Sequence, residues 1–300
     1  MNPEHINGFF STARERYSIL LRRRAGAPWP WTEDPVFLRW RFCNVHREDD
    51  RTTRWFAREV RGPLAANPRA VYRATVAFRW YNRIETGSLL RPWLLADEWP
   101  LRKVLNRLKR NSPPYVTGAY IVQGLRGYKK AEGVARAIDE FRRTGPRIDD
   151  ITAEGTLQAA HWLIASRVRA QGTFTAYEVV TDLRHTCALC EAPDIFGWCY
   201  VGPGARRGLS RLLFGHPDGL GNPSSDRFTV SAYELGLCQD LLALARIESY
   251  WPAEWPAWEM REVEHWLCEY DKYERGAAIL AGRPGSMKRR YLEKERKELI

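Results

Sequence analysis

From Arg41 to Trp55 the chain reads Arg-Phe-Cys-Asn-Val-His-Arg-Glu-Asp-Asp-Arg-Thr-Thr-Arg-Trp, four arginines and three acids set among apolar residues. Phe42, Val45 and Trp55 supply anchors that can hold the polar groups in place, and arginine forks clamp carboxylate or phosphate oxygens in a bidentate way. Two readings follow. The stretch is either a salt-bridged helix junction or the wall of a site for a phosphorylated ligand, lined by Asn44, Arg47, Asp49, Asp50 and Arg51.

A second group with chemistry lies in Glu259–Tyr273, whose pattern predicts a helix that can turn Glu262, Glu269 and Asp271 inward beside Trp266, Leu267 and Cys268, with Lys272 next to them. A third is Val201-Gly202-Pro203-Gly204-Ala205-Arg206-Arg207. Two glycines at a tight turn before a helix start present backbone N–H groups to an anion, so Gly202, Gly204, Arg206 and Arg207 are expected on a DNA backbone phosphate. Any helix junction can need glycine there, which makes the signal short and weak alone. His185, Cys187, Cys190 and Cys199 can in principle supply four zinc ligands, but no second Cys-x-x-Cys pair with finger-like spacing exists. The six cysteines show no disulfide spacing, and the expectation is free thiols with no resident metal.

These groups sit in a chain whose 44% hydrophobic content is ample for a core. Lys+Arg 47 against Asp+Glu 36 gives a net charge of +11, so a polyanion is the natural partner and nucleic acid leads. Thirteen Trp and thirteen Tyr supply ring faces of the kind that stack on unpaired bases, although most rings belong in a core. No run of eighteen apolar residues occurs and the N-terminus lacks a signal-peptide build, so a soluble cytoplasmic protein with no membrane association is expected.

The elements that must position the groups read as helices almost throughout. Three- and four-residue apolar steps predict helices over 6–25, 97–110, 129–142, 156–168, 174–183, 233–247 and 259–273, with a long one opened by Asn67-Pro68. Thr32 is expected to cap the helix that carries Val36 to Phe42, and Thr52 to Val60 forms another. Glu85-Thr86-Gly87-Ser88 reads as a turn and 215–225 as an exposed loop. Little strand-like alternation appears, and the fold class is all-α.

Several blocks, in order, carry a resemblance. Arg14-Glu15-Arg16, Pro30-Trp31-Thr32, Asp34-Pro35, Arg41 to Val45, Arg47 to Arg51, Thr117 to Tyr120, Val201 to Ala205 and Leu267 to Tyr273 together resemble the phage α-glutamyl/putrescinyl-thymine pyrophosphorylases. That family is similar to the helical domain of the phage 5-hydroxymethyl-deoxyuridine DNA kinases and, in fold, to the helix-hairpin-helix DNA glycosylases. The resemblance implies a two-lobed, glycosylase-like architecture: an N-terminal lobe over 1–110, a lobe with the helix-hairpin-helix over 111–280, and a basic tail over 281–300, with DNA in the cleft. A kinase needs Gly-x-x-x-x-Gly-Lys-Ser/Thr, which these residues lack, so the transferase branch is preferred. The glycosylase aspartate has no secure counterpart, since Asp218 and Asp226 both lie in loop-like sequence.

The implied activity is displacement of pyrophosphate from a 5-pyrophosphoryloxymethyl-uracil in double-stranded DNA by a free amine. The amine would be an amino acid such as glycine or glutamate, or a polyamine such as putrescine. Departure of pyrophosphate needs its growing charge neutralised, by Arg47, Arg51 and Arg54 or by Mg²⁺ held on Asp49 and Asp50. The amine must lose a proton, with Asp49, Glu269 or Asp271 as base, and Lys272 can hold an amino-acid carboxylate. The target base must be flipped out of the stack, and Trp29, Trp31 and Trp55 are the expected rings. The rival classes are a non-catalytic helix-hairpin-helix DNA-binding protein and a modified-base DNA glycosylase.

Overall fold

A computed structural model describes residues 1–119, 121–168, 172–221 and 228–287. Tyr120, Asp226, the end of the 215–225 loop and the basic residues from Lys288 onward lie outside the described residues.

The described chain is helical, with no strand element among these residues. Its α-helices are α1 (Pro3–Arg24), α2 (Pro35–Arg39), α3 (Arg51–Phe56), α4 (Pro68–Tyr81), α5 (Ile84–Leu95), α6 (Leu101–Lys109) and α7 (Lys130–Thr144). They continue as α8 (Ile148–Glu154), α9 (Leu157–Arg167), α10 (Thr173–Leu183), α11 (Pro203–Phe214), α12 (Ala232–Leu244) and α13 (Met260–Leu280). None is long and apolar enough to cross a membrane.

Local chemistry explains the ends. Asn2 caps α1 by accepting from Glu4 N–H at 2.9 Å, with Pro3 in the first turn and Arg22, Arg23 and Arg24 in the last, where the helix dipole favours cations. Asp34, not Thr32, caps α2, because its carboxylate reaches the Val36 and Phe37 N–H groups at 2.8 and 3.1 Å while the Thr32 hydroxyl accepts from Asp34 itself. The segment expected as a turn at Glu85 to Ser88 is the first half of α5. Gly87 there packs under the Trp55 ring, and a Cβ would come within 2.5 Å of it, so the glycine serves close packing within a helix.

The chain divides into two compact units, one drawn from Met1–Asp50, Val201–Ser225 and Val230–Ile300, the other from Arg51–Tyr200 with Asp226–Thr229. This differs from a linear division at residue 110. The reason is α13, whose buried face supports both the N-terminal fifty residues and α11, so chain ends distant in sequence share one core.

In that first unit Trp266 is fully buried and donates from its ring nitrogen to the Phe9 carbonyl at 3.0 Å, and Phe9 meets Tyr270 edge-on at 5.5 Å. The second unit is built on α4 and α10. Between them Arg79 and Asp182, both fully buried, form a two-pronged ion pair that also engages Thr53, Asn82 and Arg61.

Candidate active site

Asn44 organises the loop on which the chemistry was expected. Its backbone N–H and its side-chain NH₂ both reach Asp50 Oδ1, at 2.8 and 3.1 Å, and the NH₂ also donates to the Asp49 carbonyl at 2.9 Å. The Asn44 amide oxygen accepts from Arg16 at 2.6 Å, and its backbone carbonyl meets His265 Nε2 at 3.1 Å. A buried asparagine with its donors and acceptors engaged in this way holds residues 43–50 in one conformation.

The other wall is one face of α13. Arg261, Glu264, His265, Cys268, Glu269 and Lys272 recur at three- and four-residue steps, and several reach the 41–50 loop. Arg261 donates to Glu48 at 3.4 Å, Glu269 accepts from the Cys43 backbone N–H at 2.9 Å, and Lys272 donates to the Arg41 carbonyl. Lys272 also pairs with Glu269 at 3.1 Å and stands 4.3 Å over the Phe42 ring. Apolar burial of α13 therefore carries a polar seam into place.

The electrostatics of this seam are strongly perturbed. Burial pushes the Glu264 carboxyl up to about 8, against the pull of the Arg47 and Arg261 charges. It pushes Glu262 up to about 7, again against Arg261. His46 is driven down to about 4 by burial, and His265 is lowered for the same first reason. A carboxyl poised near neutrality beside guanidinium groups has the properties of a proton acceptor next to an anion site.

The expected residues are distributed as follows. Asn44, Arg47, Asp49 and Asp50 share the loop, while Arg51 opens α3 in the other unit. Asp49 pairs with Arg24 and Asp50 turns toward Asn44, so the two carboxylates expected to share Mg²⁺ face different partners. Glu269 and Lys272 join the seam. Asp271 does not: it is fully buried and faces Arg207, Arg211 and Arg275 at 3.0, 2.9 and 3.2 Å.

Around α11 the glycines have a different use from the one expected. Gly202 is the N-cap of α11, but a Cβ on Gly204 would overlap the Cys268 sulfur and one on Gly208 the Leu267 carbonyl, so these positions allow α11 and α13 to touch. The Arg206 guanidinium is turned inward onto Glu234 and the carbonyls of Leu220 and Gly221. Arg207 keeps 44% of its side chain exposed and is the cation of the pair that a backbone phosphate can meet.

Trp31 is buried, donates to the Ala27 carbonyl at 2.7 Å and lies under Arg23, while Trp29 is half-buried against it. Trp55 stacks on Phe78 in the second unit. The rings nearest the Asn44 loop are instead Tyr17, Trp251 and Trp255, grouped about His46, with Trp255 half-exposed.

The residues that composition and spacing did not single out are Arg16, Arg261, Glu264 and His265. The last three were visible as the polar face of a helix read with period 3.6 from Arg261 to Lys272. Arg16 had no local signal, because its partner lies 28 positions away. The cysteines and histidine at 185–199 do not form a cluster of three or more metal-ligating atoms among the described residues, whereas Cys43, Asp50 and His265 do.

A family model described as the helical domain of 5-hmdU DNA kinases matches residues 3–279. A 5-hmdU DNA kinase of Bacillus phage SP10 is 26% identical over 288 residues, an alignment covering 88% of this chain and 44% of the relative. The chain thus spans less than half the length of that relative. No solved structure matches.

Proposed function

The chain belongs to the 5-hmdU DNA kinase helical-domain family, and on that premise we propose that it acts in thymidine hypermodification of phage DNA as an amine transferase. The substrate is 5-pyrophosphoryloxymethyl-uracil in DNA, and the co-substrate is a free amino acid or polyamine. The observation that carries this reading is the Glu264 carboxyl, buried on the seam with its pKa pushed up to about 8, beside the charges of Arg47 and Arg261.

The reaction asks for that pairing. The amine nitrogen forms a bond to the exocyclic methylene, the methylene–oxygen bond breaks, and pyrophosphate departs with the bonding electrons. One proton must leave the amine, and Glu264 is the group matched to take it near neutral pH. Negative charge grows on the leaving oxygen, and Arg47 and Arg261 are placed to stabilise it in a partly desolvated setting. Asn44 and Glu269 are positioning residues, since each holds a backbone group of the loop. Trp255 offers the half-exposed ring for a flipped base.

The test is incubation of the protein with DNA carrying the pyrophosphorylated base and a mixture of amino acids and polyamines, followed by digestion to nucleosides and mass analysis. Pyrophosphate release with an amine adduct is expected. No adduct with any amine overturns the reading; abasic sites in the same DNA would indicate a glycosylase. Phosphate transfer from ATP to hydroxymethyl-uracil DNA would indicate the activity named for the phage SP10 relative.

A further inference from the structure

Cys43, Asp50 and His265 each offer one ligand atom, a sulfur, a carboxylate oxygen and a ring nitrogen, and these atoms all lie within 4.8 Å of one another. Cys43 lies two residues after the Trp40–Arg41 extension of α2, Asp50 ends the turn that follows, and His265 stands in the middle of α13, so the grouping is made by the fold of the first unit alone. All three residues are half-buried, which leaves an approach from solvent.

Each candidate ligand is already oriented by a neighbour. His265 Nε2 meets the Asn44 carbonyl at 3.1 Å; a carbonyl only accepts, so Nε2 carries the proton and Nδ1 the lone pair. The Asp50 carboxylate is held through Oδ1 by the Asn44 N–H and NH₂. The backbone of Cys43 is fixed by Glu269 at 2.9 Å. Supporting bonds of this kind, an imidazole N–H on a carbonyl above all, accompany metal ligands and set their direction.

We propose that Cys43, Asp50 and His265 form a binding site for a divalent transition metal of borderline softness, with Zn²⁺ as the representative ion. Thiolate and imidazole donors suit such an ion and do not suit Mg²⁺, which takes oxygen ligands at near-octahedral geometry. Three protein ligands leave a fourth tetrahedral position for water or a ligand oxygen, as in zinc sites that do chemistry. Binding converts the Cys43 thiol to a thiolate and releases its proton to solvent. The proposal is independent of the transferase reading, and its test reads metal and not turnover.

The whole chain, stripped with chelator, is titrated with Co²⁺ while the thiolate-to-cobalt charge-transfer absorption and the tetrahedral d–d bands are recorded, and Zn²⁺ is then added in competition. One equivalent of Co²⁺, displaced by Zn²⁺, is expected. Cys43→Ser should remove the charge-transfer band and His265→Gln should weaken binding by roughly tenfold or more. Cys187→Ser, at an exposed cysteine of the other unit, should leave the band intact. A second measurement needs no variant: one equivalent of Zn²⁺ should slow alkylation of Cys43 on the order of tenfold, read by peptide mass, and leave Cys187 unprotected. Absence of the charge-transfer band, a band that survives Cys43→Ser, or equal alkylation with and without Zn²⁺ overturns the site.

Discussion

Glu264 links the stability of the protein to its proposed chemistry. Its folded pKa of about 8 lies above the ordinary carboxylate value, so the native state holds a proton that the unfolded chain has released. The stability this group contributes is complete below about pH 4.5 and is lost as pH rises through about 8. Glu264→Gln should therefore flatten the fall in melting temperature between about pH 5 and 9, with a gain on the order of 2–5 kcal/mol at the alkaline end. The same variant should lower amine transfer by about 10²–10⁴-fold, and wild-type turnover should rise with pH through an inflection near 8. A variant that melts as expected but turns over normally removes Glu264 from the reaction. Asp49 makes a contrast, since its partner Arg24 is 43% exposed and screened by water. Asp49→Asn should stay folded, with a loss of about 1 kcal/mol or less, and any larger loss of activity would then report a role at the site.

Two contacts between helices carry most of what can be tested by melting alone. α11 lies against α13 through Gly208, where a Cβ would overlap the Leu267 carbonyl, a backbone atom that cannot swing aside. Gly208→Ala should cost about 1–3 kcal/mol, as overpacking of a close contact does. Gly236 lies inside α12, and a Cβ added there would meet nothing within 4 Å, so a change to alanine should gain about 0.5–1 kcal/mol. In the second unit α4 is tied to α10 by Arg79 and Asp182, with no solvent on either side chain. Asp182→Ala leaves a buried guanidinium without its counter-charge and should cost about 3–5 kcal/mol, whereas Arg79→Met with Asp182→Leu together should cost far less. If the single and paired variants melt alike, the ion pair is not what joins these helices.

At the scale of the molecule, the charge of +11 predicts binding to DNA that weakens steeply with salt. Arg207 is the half-exposed member of the Asp271 cluster, and Arg207→Ala should reduce the salt slope by about one without altering the fold. Arg206→Ala should instead lower the melting temperature, because its guanidinium holds Glu234 and two loop carbonyls. Helix content, the opening of α4 at Asn67 and the polar loop at 41–50 were legible in the sequence, since each depends on neighbours within a few residues. So was the charge that favours a polyanion. What the tertiary structure alone decided was which groups meet. Asp271 and Glu269 are two residues apart on one helix and face different partners, because the helical step of about 100° per residue turns them to different sides. Arg16 reaches Asn44 across 28 positions and His265 reaches it across 221, separations at which sequence spacing carries no distance information. The glycines of α11 show the same limit: a turn and a close helix contact ask for the same residue, and only the position of α13 distinguishes them.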